Sequence, residues 1–209
     1  TYITAINASA KTFDWKFLSA ANDLDPSTTL SAVQKTAATK GAISISTDNV
    51  TYTPSASQSG TDSFALTISD GNTGSKDITI TVNNIDTLAP TLVITSNVSA
   101  VKVGETATIT FSFSEVPTGF AAGDITTTGG LLSTPTVTGD NKVYTATFTP
   151  TATSASNASI TVASGTYTDA AGNTGGAGTT PSITIDTIAP TLVITSNVSA
   201  VKVGETATI

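Results

Sequence analysis

A long internal repeat sets the size of the folding unit in this chain. Residues 86–109 read DTLAPTLVITSNVSAVKVGETATI, and residues 186–209 repeat that stretch with one difference, Leu88 against Ile188. The period of 100 residues is too long for a solenoid repeat and fits one complete β-sandwich domain. The sequence therefore predicts a tandem array in which each module folds by itself.

The repeat divides the 209 residues into three parts. Residues 1–85 and residues 86–185 are each expected to form a β-sandwich, and residues 186–209 are expected to hold the first strands of another module. A pair of strands is only marginally stable alone in water. The last segment is therefore either the start of a truncated module or a donor strand for the open sheet edge of another subunit.

Hydrophobic residues alternate with polar ones along most of the chain. In the central module Ala107, Ile109, Phe111 and Phe113 alternate with threonine and serine. A period of two buries one face of a strand and exposes the other. Short strands of this kind, separated by glycine-rich turns, predict an all-β fold of tandem Greek-key sandwiches.

The first module has the same alternation and the only tryptophan. Phe13, Trp15 and Phe17 share one face of a predicted strand. Such a stripe of rings serves either as part of a core or as a platform for stacking sugars. With a single tryptophan and strand spacing throughout, we interpret the three rings as core.

The composition excludes most kinds of catalytic chemistry. The chain has no Cys and no His, so it offers no zinc site of the usual kind, no Ser-His-Asp triad and no imidazole base. A net charge of −7 argues against nucleic acid as a partner. Oxygen ligands remain, and these suit hard cations such as calcium.

No apolar run approaches the roughly 20 residues that a membrane helix needs. We therefore expect no membrane insertion in this segment, and an export signal or anchor is expected outside it.

Two stretches of the first module carry a family resemblance. Residues 21–26 read ANDLDP, and residues 41–74 read GAISISTDNVTYTPSASQSGTDSFALTISDGNTG. Together they resemble the cadherin-like repeats of large bacterial adhesins, although Ser27 and Thr28 replace the Gly and Asp that usually follow the proline. The resemblance implies calcium ligands at Asp23, Asp25 and Asp70, while Asp62 is interpreted as supporting its turn.

The central module resembles a bacterial Ig-like repeat. The resemblance lies in DTLAP at 86–90, FSFSEVPTGFAAGDI at 111–125 and YTDAAGN at 167–173. It implies a family of long extracellular proteins of the cell surface and of biofilms, which often bind Ca²⁺ at or near module junctions. The expected partners are neighbouring repeats, other copies of the chain, and a host or surface ligand.

In such a fold several oxygen-bearing side chains are expected at one pole of the sandwich. The predicted calcium ligands of the central module and of the following linker are Asp86, Glu115, Asp124, Asp169, Asn173 and Asp186. The alternative is that Asp86 and Asp124 cap turns, that Asp169 begins an Asx turn, and that Glu115 faces water. Spacing along the chain leaves both interpretations open.

Two functions follow from these patterns. The first is a structural extender or adhesive segment of a bacterial surface adhesin, stiffened by calcium, in which Pro90 and Pro190 restrict the linkers. The second is a subunit of a self-assembling extracellular filament that uses strand complementation. No pair of carboxylates stands apart from the turn and linker motifs, so we expect no enzyme, including no glycosidase.

Overall fold

The computed structural model describes residues 2–4, 9–15, 30–71 and 74–209, with only the backbone described for 2–4. The expectations for Phe17, Asp23 and Asp25 fall outside the described residues. Within the described part no helix is long and apolar enough to cross a membrane.

The first module consists of two sheets in its described residues. Its strands are β1 (Tyr2–Thr4), β2 (Lys11–Asp14), β3 (Ser31–Thr36), β4 (Gly41–Ile45), β5 (Asn49–Pro54), β6 (Ser59–Ser69) and β7 (Ser75–Asp86). One sheet has the order β1-β7-β6-β3, and the other has the order β2-β5-β4. Strand β1 runs parallel to β7, and the other pairs are antiparallel.

The core of the first module lies between these sheets. Its buried members are Trp15, Val50, Tyr52, Phe64, Leu66, Ile68, Ile80, Val82 and Ile85. Trp15 is only 1% exposed, and Phe13 packs against the cluster. Both described rings of the predicted aromatic stripe therefore lie in the core, as interpreted from their spacing.

The second module also has two sheets and a separate core. Its elements are β8 (Leu92–Ser96), β9 (Ala100–Lys102), β10 (Ala107–Phe113), a 3₁₀ turn (Ala122–Asp124), β11 (Ile125–Thr128), β12 (Gly130–Leu132), β13 (Thr136–Thr138), β14 (Val143–Pro150), β15 (Asn157–Val162), β16 (Gly178–Thr179) and β17 (Ile183–Asp186). One sheet has the order β12-β14-β10-β8 with β13 on β14, and the other has the order β11-β15-β17-β9 with β16 on β15.

The alternation predicted for the central module is confirmed. Ala107, Ile109, Phe111 and Phe113 are buried in one core, whereas Thr108 is exposed. The all-β class is confirmed as well, although the second module has more and shorter strands than the alternation indicates. One cause is that β8 pairs with β10 whereas β9, after a bend, pairs in parallel with β17 in the other sheet.

A buried carboxylate ties together three parts of the first module. Asp62 is 4% exposed and accepts hydrogen bonds from the Tyr52 hydroxyl at 2.9 Å, the Lys40 backbone N–H at 2.8 Å and the Thr39 backbone N–H at 3.0 Å. Burial acts to raise the pKa of the Asp62 carboxyl, but these hydrogen bonds outweigh it, so its pKa lies below the ordinary value. Asp62 therefore holds the core together rather than supporting only its own turn.

Residues 187–209 form no strand, although they nearly repeat residues 87–109. Leu192 is 82% exposed, whereas the equivalent Leu92 in β8 is 7% exposed. Ile194 is likewise exposed, whereas Ile94 is buried. The segment thus presents to solvent the apolar side chains that its counterpart packs into a core.

Candidate metal centre

The last strand of the first module places a carboxylate at the start of the second module. Asp86 ends β7, where the backbone is still paired with Ser59 of β6. Its Oδ1 accepts a hydrogen bond from the Leu88 backbone N–H at 3.2 Å. The half-buried Asp86 side chain is therefore held at the junction by the strand before it and the linker after it.

Two loops of the second module bring further carboxylates to the same place. Glu115 follows the end of β10, and Asp169 lies in the loop between β15 and β16. Each of Asp86, Glu115 and Asp169 offers a carboxylate oxygen, and these oxygens all lie within 4.8 Å of one another. We call these three residues the junction acid cluster.

Asn173 connects the cluster across the junction. Its side-chain amide donates to Asp169 Oδ2 at 2.8 Å and to the Asp86 backbone carbonyl at 3.1 Å. Its backbone N–H donates to Asp169 Oδ1 at 2.8 Å, which closes the loop 169–173. Asp169 therefore closes a turn, as the alternative interpretation states, and also lies in the cluster.

The cluster concentrates negative charge in a partly desolvated site. Asp169 is 2% exposed, and Glu115 and Asp86 are half-buried. Burial, followed by the charges of Asp169 and Asp86, raises the pKa of the Glu115 carboxyl, and Lys142 opposes this shift. Without a cation, the mutual repulsion of these carboxylates works against folding of the junction.

The remaining predicted ligands lie elsewhere. Asp124 is outside the cluster, because its carboxylate accepts the Ala121 backbone N–H at 2.7 Å and so caps the 3₁₀ turn. Asp70 closes the turn between β6 and β7 by accepting the Gly74 backbone N–H at 3.1 Å. Asp186 is exposed at the end of β17 and repeats the backbone contact of Asp86, with Oδ1 accepting the Ile188 N–H at 3.4 Å.

The donor set of the junction fits a hard cation. Calcium binds six to eight oxygen ligands, and carboxylates, carbonyls and water all serve. Asp86, Glu115 and Asp169 supply three carboxylates within reach of one ion, and no nitrogen or sulfur ligand competes in a chain without His or Cys. The residues present therefore suit calcium better than zinc.

Neutralising one member of the cluster is expected to stabilise the protein when no cation is present. Glu115→Gln removes a charge that repels Asp86 and Asp169, so we expect the melting temperature in chelator to rise by roughly 4 to 8 °C, equivalent to about 1 kcal/mol. Differential scanning calorimetry in EGTA measures this shift.

Glu105→Gln is the matched control for that prediction. Glu105 is exposed and accepts the Lys102 backbone N–H at 2.9 Å, a contact that glutamine can keep. A drop in the melting temperature of Glu115→Gln, with Glu105→Gln unchanged, would contradict net repulsion within the cluster.

Sequence reasoning missed two residues that act at this junction. Lys142 immediately precedes β14, and its positive charge opposes the rise in the pKa of Glu115. Nothing in its sequence context distinguishes it from the other lysines. Thr87 is bound by the first module through its hydroxyl. For Thr87 a signal existed, because Thr187 follows Asp186 in the same way.

Comparisons with known proteins agree on the class of both modules. Residues 86–185 match the family model described as a bacterial Ig-like domain, and residues 2–83 match the one described as a bacterial Ig domain. A search of curated proteins found no match.

Several solved structures are similar to the chain at low identity. An I-band fragment of titin is 8% identical with a TM-score of 0.40, over 90% of this chain and 62% of that one. Cadherin domains 3–6 of protocadherin gamma B2 are 12% identical with a TM-score of 0.43, over 89% of this chain and 45% of that one. An endo-fucoidan hydrolase of glycoside hydrolase family 107 is 18% identical with a TM-score of 0.31, and this chain covers 28% of it.

Proposed function

Both modules belong to bacterial Ig-like domain families, and we propose that this tandem is an extender segment of a bacterial cell-surface adhesin whose module junction is stiffened by calcium. Domains of this class are typically structural and usually extracellular or exposed at the cell surface. The proposed role is mechanical and non-catalytic: the segment holds a more distal binding region away from the cell.

The single observation that carries this proposal is the origin of the cluster's members. Asp86 ends the last strand of the first module, whereas Glu115 and Asp169 belong to the second module. An ion held by all three therefore ties one module to the next. The loop that follows Asp169 supports this placement, because Ala170 and Ala171 line a pocket together with Ser59 and Gly60 of the first module.

Asp86, Glu115 and Asp169 would hold the ion, and the ion would supply positive charge that converts their mutual repulsion into attraction. Asn173 restrains two of the three residues, because its side-chain amide donates to the Asp169 carboxylate and to the Asp86 backbone carbonyl. Because the ligands come from both sides of the junction, loss of the ion would loosen the junction as well as destabilise the second module.

Small-angle X-ray scattering of the whole chain tests this function. With calcium present, we expect a narrow distribution of shapes, and addition of EGTA is expected to broaden it because the junction then loses the restraint that the ion supplies. Asp169→Asn is expected to show the broad distribution in both conditions. Identical scattering from the wild-type chain with calcium and with EGTA would contradict the calcium-stiffened extender.

One observation favours the alternative function of a filament subunit. Residues 192–194 expose apolar side chains that their counterparts in β8 bury in part, and strand addition to another copy would cover them. The same scattering series decides this point through the forward intensity. Molecular mass that grows with protein concentration would support assembly, and a constant monomer mass would contradict it.

A further inference from the structure

The linker threonine after Asp86 is held by the preceding module through a set of hydrogen bonds. Thr87 Oγ1 accepts from the Gln58 backbone N–H at 2.7 Å and lies 2.8 Å from the Ser55 carbonyl, to which it donates. The Thr87 backbone N–H donates to the Gln58 carbonyl at 2.8 Å. One hydroxyl and one amide therefore fasten the linker to the loop 55–58.

The same arrangement recurs at the end of the second module. Thr187 Oγ1 accepts from the Ser154 backbone N–H at 2.7 Å and donates to the Thr151 carbonyl at 2.9 Å. The Thr187 backbone N–H donates to the Ser154 carbonyl at 2.8 Å. Each donor and acceptor occupies the same relative position as at Thr87, so the contact is a repeated feature of the chain.

The loops that receive these threonines share sequence and backbone conformation. Residues 53–57 read Thr-Pro-Ser-Ala-Ser, and residues 149–153 read Thr-Pro-Thr-Ala-Thr. Ser57 and Thr153 occupy the same place in the two loops and have φ angles of 57° and 56°. A left-handed backbone conformation is unfavourable for residues other than glycine, and most of all for a β-branched residue such as threonine. We call each of these loops a threonine socket.

The two modules match different family models, yet each has a socket that binds the threonine after its last strand. The two modules also share the Asp-Thr linker that the sockets bind, at 86–87 and at 186–187. The socket and the Asp-Thr linker therefore recur together at the ends of two modules that match different family models.

From this geometry we propose that Thr87 is a positioning residue that aims the Asp86 carboxylate at the second module. Asp86 lies between the β7 ladder on one side and the socketed Thr87 on the other. The backbone is therefore restrained on both sides of Asp86. This preorganises the Asp86 carboxylate near Glu115 and Asp169, so less conformational entropy is lost when an ion binds. The part of this inference that concerns calcium affinity rests on the proposed function, whereas the part that concerns module orientation does not.

Thr87→Val in the full chain tests the inference, since valine keeps the shape and removes the hydroxyl. By isothermal titration calorimetry we expect the calcium dissociation constant of the site to rise about tenfold or more, as for other residues that orient metal ligands. Thr87→Ser keeps the hydroxyl and is expected to stay near wild type. The site is defined as the binding that Asp169→Asn abolishes.

Thr187→Val is the matched control, because it removes the same hydroxyl from the other socket, away from the junction acid cluster. We expect it to leave calcium affinity unchanged. An equal loss of affinity in Thr87→Val and Thr187→Val would mean that general destabilisation is responsible and would overturn the positioning role. So would wild-type affinity in Thr87→Val.

A second readout separates this inference from the calcium proposal. Residual dipolar couplings in EGTA report whether the two modules share one alignment, and Thr87→Val is expected to reduce the shared alignment while Thr187→Val preserves it. If the wild-type chain binds no calcium, the stiffening proposal fails and these couplings alone decide the role of Thr87. Unchanged couplings in Thr87→Val would then reject it.

Discussion

Calcium at about 10 mM is expected to raise the melting temperature of the second module by roughly 10 to 20 °C, and Asp169→Asn is expected to remove that rise. Extracellular modules bind calcium with dissociation constants near 10⁻⁴ M, so this concentration would stabilise the bound state by about 2.7 kcal/mol. For a domain of this size each kcal/mol corresponds to roughly 4 to 8 °C. Differential scanning calorimetry with calcium and with EGTA measures both proteins.

The asparagine variant is chosen because it keeps the shape and one acceptor oxygen for the Asn173 backbone N–H, which Asp169 Oδ1 now accepts. Asp124→Asn is the control, since the Asp124 carboxylate caps the 3₁₀ turn and lies outside the junction acid cluster. It should retain the full response to calcium. An equal rise in the wild type and in Asp169→Asn would place any bound calcium at another site.

Asp62→Ala is expected to destabilise the first module by about 3 to 5 kcal/mol, because it removes the acceptor of several hydrogen bonds at a buried site. The Tyr52 hydroxyl and the backbone N–H groups of Thr39 and Lys40 would each lose their bond to the carboxylate. Trp15 is the only tryptophan and is 1% exposed in this core. Its fluorescence therefore follows unfolding of the first module alone in a urea titration.

The same carboxylate gives the first module a defined response to acid. Because the folded-state pKa of Asp62 lies below its unfolded value of about 3.9, its contribution is fully present above that value and is lost as the pH falls through the folded-state pKa. Asp77→Ala is the control, since Asp77 forms an exposed ion pair with Lys35 and should change stability little. Similar urea midpoints for Asp62→Ala and the wild type would show that the buried network is dispensable.

Alternation along the strands predicted the fold class because it depends on neighbouring residues only. Phe111 and Phe113 share a face in any extended strand, and burial of that face follows once any second sheet covers it. The division of residues 92–102 between two sheets did not follow from the pattern. It depends on β9 finding β17, which lies more than eighty residues away in the chain.

The composition predicted the kind of site, an oxygen-ligand site for a hard cation, but only some of the residues predicted from the sequence form it. Asp86, Glu115 and Asp169 were all named from the sequence, and the fold brings them together. Asp124 was named on the same grounds, but a local hydrogen bond to the Ala121 N–H uses its carboxylate instead. Local turns compete for acidic side chains, and the outcome depends on backbone geometry that spacing does not reveal.

The two copies of the repeat show what the sequence determines by itself. The Asn97 backbone N–H donates to the Thr108 carbonyl at 3.0 Å, and the Asn197 N–H donates to the Thr208 carbonyl at 3.1 Å. In each copy the asparagine Oδ1 also accepts the threonine N–H, at 2.7 Å and 2.9 Å. These contacts join residues eleven apart, so the same local sequence produces the same turn in both places.

Tertiary structure decided whether that sequence becomes a sandwich. In the first copy β10 pairs with β14, and Ile109 is fully buried, whereas Ile209 in the second copy is 80% exposed. Strand pairing and burial need partners from distant parts of a module, and among the described residues none packs on 192–209 in the way that β14 packs on β10. The local sequence thus determines the turn, whereas strand formation also requires partner strands from distant parts of the module.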